Sequence, residues 1–177
     1  MKDLKQFDIS FIGLKEGIHQ FEYVIDKAFF DFYEYDEINS SNVVVNVSFL
    51  KKTTLFELDF ECKGWVELAC DVTNELFQQS IETNLKLVVK FGDAFNDENE
   101  EILIIPHAEH KLNVAQYIYE AIVLAIPAKR VHPGLSDGSL KSDIIEKLKE
   151  FEINNNDTET GSEVDPRWNK LKDILNR

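Results

Sequence analysis

The chain has 177 residues, of which 44% are hydrophobic, and carries a formal net charge of −14 at pH 7. The length favours one compact domain, and the hydrophobic content supplies a core, which excludes a chain that is unfolded throughout. The charge argues against a free-standing nucleic-acid binder, because such proteins use lysine and arginine to replace counterions on phosphate. No apolar run could span a membrane and the first residues do not look like a secretory signal, so we expect a cytoplasmic protein without a membrane partner.

Alternating apolar and polar residues predict β-strands in the first half of the chain. The pattern is clearest in NVVVNVSFL, TLFELDFECKGWVELAC and SIETNLKLVVKFG, although Gly64 could bend the second segment into two strands. Short connections favour antiparallel pairing with one face exposed to water. HQFEYVID and EILII are weaker candidates for the same sheet, whereas DAFNDENEE predicts an exposed acidic loop. The segment DKAFFDFYEYDEINSSN fits either a short helix or an aromatic loop.

One helix is predicted in the second half, over residues 113–126. Asn113 is a suitable N-cap, with Gln116 in the position of a capping box, and Pro127 ends the helix. The helix has a wide apolar face, which predicts that it packs on the sheet. After Pro133 the chain becomes polar and acidic, with a short amphipathic segment in SDIIEKLKEFE and a terminal helix predicted to begin at DPRW.

These features, in this order, resemble the large ribosomal RNA subunit accumulation proteins, the YceD-like family. The resemblance extends from about the first strand through Pro133, with DPRW as a further signature in the tail. Its most specific segments are LVVKFG, NVAQYIYEAIVLAIPAKRVHPG and DPRWNKL. The positions that match the family pattern are Cys70, Phe77, Pro127, Asp165 and Pro166. The resemblance implies a non-catalytic factor that large-subunit ribosomal RNA needs in order to mature or accumulate.

The cysteines depart from the family pattern. Many members carry Cys-x-x-Cys at the end of the strand, whereas here Cys70 occupies the first position and Thr73 the second. One thiolate cannot make a tetrahedral zinc site, and a thiol without a resolving partner cannot cycle, so we expect no metal and no redox couple. Cys62 lies too far along the strand for a disulfide with Cys70 unless the chain folds sharply at Gly64. Both cysteines are predicted to be packed core thiols.

Other candidate sites for chemistry are weaker. His107 and His110 have a spacing that can bind a metal, but no further ligands are anchored nearby, and we interpret PHAEH as a polar loop. The sequence contains no nucleophile elbow, no phosphate-binding glycine loop and no cysteine–histidine nucleophile pair. We therefore expect neither an enzyme nor a cofactor nor a small-molecule substrate.

Two groups of residues are candidates for binding a partner. Lys129, Arg130 and His132 follow the helix, where they could complement its C-terminal dipole or contact phosphate or an acidic partner. Arg167 and Trp168 combine two residue types that often anchor interfaces, and the terminal helix that carries them could bind a partner or fold back onto its own domain. The expected partner is a precursor of the large ribosomal subunit, through its RNA or through a basic ribosomal protein. The negative charge suits an adaptor or holding chaperone for such a protein better than it suits RNA.

The sequence thus predicts an α+β fold with a single antiparallel sheet of about five or six strands and one main packed helix. We expect a YceD-like domain at residues 1–133, a flexible acidic linker at 134–164 and a short docking helix at 165–177.

Overall fold

The computed structural model describes residues 4–99, 102–136, 138–140 and 143–151. Contacts divide the chain into two units, Met1–Ser139 and Leu140–Arg177. In the second unit, helix α4 spans Asp143–Phe151, which agrees with the amphipathic segment expected there. The predicted terminal helix at 165–177 and the end of the predicted linker lie outside the described residues.

The first unit is built mainly from strands. A 3-10 turn over Leu4–Phe7 leads into the first strand. The strands are β1 (Asp8–Ser10), β2 (Gly17–Ile25), β3 (Ser40–Lys51), β4 (Leu55–Ala69), β5 (Leu76–Gly92), β6 (Asn96–Asn99), β7 (Ile102–Pro106) and β8 (Lys111–Asn113). The helices are α1 (Lys27–Phe32), α2 (Ala115–Ala125) and α3 (Pro133–Ser136). The aromatic segment that fitted either a helix or a loop therefore begins with the short helix α1.

The predicted alternation is confirmed in the three long strands. Every second side chain of β3 and β4 is buried against the rest of the unit, while the residues between them are partly or fully exposed. The strand β4 runs through Gly64 without dividing, and Gly64 pairs with Val43 on one side and Ile81 on the other. The central buried residues are Val43, Val45, Val47, Phe49, Phe56, Leu58, Phe60, Cys62, Val66, Leu68 and Cys70.

The expectation of a single antiparallel sheet is wrong in two respects. The large sheet has six strands in the order β2-β3-β4-β5-β7-β6, and β5 and β7 are parallel. After β5 the chain forms β6 at the edge of the sheet, and β7 then lies between β5 and β6. The predicted acidic loop therefore contains an edge strand, Asn96–Asn99. A separate two-stranded sheet pairs β1 with β8.

The small sheet ties the beginning of the described chain to the entry of helix α2. Lys111 forms an ion pair with Asp8, and the Asn113 side chain donates to Asp8 Oδ1 over 2.7 Å and to the Leu4 carbonyl over 3.0 Å. The amide of Val114 donates to the Phe7 carbonyl. These contacts orient the helix before its first turn.

Helix α2 packs on strands β4 and β5 through its apolar face. Its buried residues are Ala115, Ile118, Ala121 and Ile122. Burial of an isoleucine side chain contributes about 1.5–3 kcal/mol, so this face fixes the helix on the sheet. The helix begins at Ala115, and its N-cap is Val114 instead of the predicted Asn113. The Asn113 side chain still accepts a hydrogen bond from the Ala115 amide. Gln116 donates to Glu120 and forms no capping box.

Candidate functional site

The candidate site begins at the turn between β4 and β5. Cys70 follows the last residue of β4, and its backbone N–H donates to the Glu75 carbonyl over 2.9 Å, while the Asn74 N–H donates to the Cys70 carbonyl over 2.8 Å. Asn74 has a φ of 58°, a left-handed conformation that asparagine tolerates better than most residues. The sequence CDVTNE therefore forms a tight turn, closed by two backbone hydrogen bonds, at one end of the large sheet.

The segment after helix α2 lies against this turn. The helix ends at Ala125, and Ile126 is extended, as expected for a residue that precedes proline. The chain then approaches the turn closely enough for two reciprocal hydrogen bonds. The Asp71 N–H donates to the Arg130 carbonyl over 2.8 Å, and the Arg130 N–H donates to Asp71 Oδ2 over 2.7 Å. We call the contact between residues 70–75 and 127–134 the turn–loop junction.

The Arg130 guanidinium closes the junction on one side. Its Nε lies 3.3 Å from Asp71 Oδ1, and one terminal nitrogen donates to Glu37 Oε2 over 2.7 Å. Glu37 also accepts a hydrogen bond from the Tyr35 hydroxyl, and burial together with this bond raises the pKa of Tyr35 to about 12. Arg130 thus links the turn, the segment after α1 and the exit of α2.

His132 closes the junction on the other side. Its backbone N–H donates to the sulfur of Cys70 over 3.3 Å, and its ring Nδ1 accepts from the Gly134 N–H over 2.9 Å. The ring centroid lies 5.6 Å from that of Phe77, in an edge-to-face arrangement. Because Nδ1 accepts a backbone hydrogen bond, the ring is held in one orientation.

The thiol of Cys70 has an unusual electrostatic environment. Burial raises its pKa, but hydrogen bonds from the His132 amide, from the side chain and amide of Thr73 and from the Val72 amide lower it more, to about 7. The thiol can therefore lose its proton near neutral pH, although only 2% of the side chain is exposed to solvent. The sulfur acts as the acceptor that holds the loop on the turn.

Thr73, at the position of the second family cysteine, contributes to the same environment. It is 2% exposed, and its hydroxyl is a hydrogen-bond partner of Cys70 and lies 3.5 Å from the Glu75 amide. The Oε2 atom of Glu75 is buried and has no hydrogen-bond partner within the described part of the chain. Among those residues, no group of three or more histidine, cysteine, aspartate or glutamate side chains is arranged to hold a metal ion.

The structure brings together most of the residues that the sequence selected. Cys70, Phe77, Arg130 and His132 meet in the junction, and Pro127 lies at its entry. Lys129 is exposed beside them. The tail positions Asp165, Pro166, Arg167 and Trp168 lie outside the described residues.

Sequence reasoning missed the carboxylates that surround Arg130. Glu37 and Asp71 lie 93 and 59 positions away from it in the chain. In a chain with 33 acidic residues, no local pattern distinguishes these two from the rest. Only the topology of the sheet shows that a turn and a helix exit meet at one end.

Fold and junction define an α+β protein whose six-stranded sheet carries one main helix and a site formed by a strand turn and the exit of that helix. Within the described residues, no helix has both the length and the apolar character needed to cross a membrane.

The model of one protein family, described as large ribosomal RNA subunit accumulation protein YceD, matches residues 58–175. This range is more than half of the chain, and the chain belongs to the YceD family. The match begins within β4, later than the resemblance expected from the sequence, and continues through most of the tail. Neither a curated protein nor a solved structure matches this chain.

Proposed function

We propose that this chain is a non-catalytic factor that supports maturation and accumulation of large-subunit ribosomal RNA, acting in the cytoplasm on a precursor of the large subunit. The family match over residues 58–175 carries the proposal, because it includes both sides of the turn–loop junction and the tail. The family's description names this RNA, and the finer role in assembly is our inference.

The environment of Cys70 supports a structural rather than a catalytic role for the junction. Its sulfur is buried and accepts hydrogen bonds that hold the loop on the turn. A catalytic nucleophile would instead have to reach a substrate and a base.

Within the proposed function, the segment that carries Lys129, Arg130 and His132 lies at the partner-binding surface. The internal bonds of Arg130 and His132 support a division of roles, in which these two residues fix the loop and Lys129, which is exposed, meets the partner. Arg167 and Trp168 are proposed as a second anchor, because arginine and tryptophan contribute strongly to many interfaces.

A second candidate is an acidic adaptor or holding chaperone for a basic ribosomal protein. Two observations favour it: the net charge of −14, and the pairing of Arg130 with Glu37 and Asp71, which leaves less positive charge at the junction for RNA. Complementary charge would speed the encounter with a basic protein.

Loss of the gene tests the first proposal. We expect large-subunit ribosomal RNA to fall relative to small-subunit RNA, and a plasmid copy of the chain to restore it. Unchanged RNA levels would refute this function. Crosslinking with the tagged chain in cells, followed by separate identification of RNA and protein, then distinguishes the two candidates: mainly RNA crosslinks favour the first, and crosslinks to one basic ribosomal protein favour the second.

A further inference from the structure

A cavity lies away from the turn–loop junction, beside the connection between β3 and β4. Its volume is about 650 Å³, which lies within the usual range of small-ligand sites. Three packed aromatic rings form its floor: Phe56 lies 4.9 Å from Phe11 and 5.2 Å from Phe91, measured between ring centroids. Phe11 and Phe56 are buried, whereas Phe91 is partly exposed.

The walls of this cavity carry more cationic and imidazole side chains than carboxylates. Its described lining includes Lys51, Lys52, His107 and His110, and Glu109 as its one carboxylate. Lys51 and Lys52 bring two positive charges and Glu109 one negative charge to the lining, whereas the whole chain has a net charge of −14.

Lys51 is held in place without a carboxylate partner. Its ammonium group donates to the carbonyls of Phe11 and Leu14, over 2.9 and 2.8 Å. Among the described residues, no carboxylate lies within ion-pair distance of this ammonium group, so its full charge remains available. Lys52, by contrast, forms an ion pair with Glu57 on the exposed surface.

An aromatic stack continues from the floor to the surface. The rings of Phe91 and His107 are nearly parallel, with 16° between their planes and 5.6 Å between their centroids. His107 is exposed, and the stack can therefore be extended by another planar ring. Nucleobases stack on aromatic side chains because every base has a π-face.

We propose that this cavity binds an unpaired nucleotide of RNA, with the base stacked on His107 and a neighbouring phosphate beside Lys51 and Lys52. This inference rests on the proposed function, since it supplies a contact for the RNA of the large-subunit precursor. An acidic peptide would use the lysines but not the stacked rings. A paired base could not enter, because its faces are covered by its neighbours in the helix.

The test is a titration of the full-length, isotope-labelled chain with a short single-stranded RNA, followed by amide NMR shifts. We expect shifts to concentrate at Lys51, Phe91, His107 and His110, with weak affinity and a shallow dependence on salt because few phosphates are contacted. His107→Ala should weaken binding about tenfold, whereas His107→Phe, which keeps a ring, should retain most of it.

Matched lysine variants separate this cavity from general charge effects. Lys52→Glu should weaken binding several-fold, while Lys86→Glu, which changes an exposed lysine paired opposite Asp59 on the outer sheet face, should leave it unchanged. Equal losses in the two variants, or unchanged binding by His107→Ala, would refute the site. Duplex RNA that binds as well as single-stranded RNA would refute base stacking, and a free nucleoside monophosphate that binds as tightly as the RNA would identify a nucleotide pocket instead.

The failure of this inference and the failure of the proposed function give different results. If the RNA does not bind but loss of the gene still lowers large-subunit RNA, the cavity proposal fails and the function stands. If loss of the gene leaves that RNA unchanged, the function fails whatever the titration shows.

Discussion

Cys62 lies in β4 and Cys70 directly follows the last residue of that strand, and the prediction that both are free, buried thiols is confirmed. Their electrostatic environments are nevertheless opposite. Burial alone acts on Cys62 and raises its pKa to about 11, whereas backbone amides and Thr73 surround Cys70 and lower its pKa to about 7. Alternation along the strand predicts burial, but it cannot predict which amides from a distant loop reach a sulfur.

We expect Cys70→Ser to remove a pH dependence of stability. The pKa of the Cys70 thiol is about 7 in the folded chain, against an ordinary value of 9.0. A depressed pKa contributes stability that is complete above the unfolded value and is lost as the pH falls through the folded value. From about pH 7 to about pH 9, the free energy of unfolding of the natural chain should therefore rise by about 1–2 kcal/mol relative to Cys70→Ser, in urea titrations.

Cys62→Ala is the control for this measurement. Because its folded pKa is raised to about 11, Cys62 stays protonated near neutrality, and any stability linked to its proton is lost only at higher pH. The free energy of unfolding of Cys62→Ala should differ from that of the natural chain by an amount that is constant between about pH 6 and about pH 8. An equally constant difference for Cys70→Ser would contradict the assigned environment of Cys70.

The ion pairs of Arg130 lead to a second prediction at the same scale. Arg130→Ala should lower the free energy of unfolding by about 1 kcal/mol, because it removes two partly exposed ion pairs, with Asp71 and with Glu37. Lys129→Ala, one position earlier and exposed, should change it by less than about 0.5 kcal/mol. Equal effects in thermal unfolding would show that Arg130 is not needed to hold the junction.

Individual elements were more predictable than the way they pair. The alternation of apolar and polar residues in β3 and β4 predicts both the strands and their buried face, because each segment shows the period of two by itself. The local sequence does not predict which strands pair with each other. β5 pairs in parallel with β7, with β6 between them in the chain, and β1 with β8 joins residues about a hundred positions apart. For the same reason, the turn–loop junction was only partly predictable: the sequence pointed to several of its residues, but it did not predict the contacts between them.

Gly64 provides a test at the scale of the strand. A Cβ atom at this position would lie 2.1 Å from the Asn42 carbonyl oxygen on β3, and backbone cannot move aside as a flexible side chain could. Gly64→Ala should therefore separate β3 from β4 locally and lower the free energy of unfolding by about 2–4 kcal/mol, measured with urea.

Gly13→Ala is the matched control for Gly64. No atom lies within 4 Å of the place where its Cβ would be, so the substitution should be neutral or slightly stabilising. If Gly64→Ala behaves like Gly13→Ala, the close approach of the two strands is not required for the fold.

At the scale of the whole molecule, the position of the acidic segment has to be compared with the positions of the lysines that are proposed to meet RNA. The acidic segment 93–101, which the sequence assigned to a loop, contains the edge strand β6, and its Asp97 and Glu98 side chains are exposed. Lys129 lies in the turn–loop junction, and Lys51 and Lys52 line the cavity beside the connection between β3 and β4. Under the two proposed functions, a basic protein would meet the acidic segment and an RNA would meet these lysines, and substitutions can address each surface alone.

We expect the two surfaces to respond separately in binding experiments with purified large-subunit proteins and single-stranded RNA. One variant replaces the carboxylates of the acidic segment by amides, at Asp93, Asp97, Glu98, Glu100 and Glu101. It should weaken binding of a basic ribosomal protein several-fold and reduce its salt dependence, because fewer charges steer the encounter. The same variant should leave RNA binding equal or slightly stronger, since it removes repulsion of phosphate.

Lys129→Glu is the opposite change and should weaken association with assembling subunits only if Lys129 meets RNA. Loss of association in Lys129→Glu with no effect of the amide variant would identify an RNA-directed factor, and the reverse result would identify an adaptor for a basic protein.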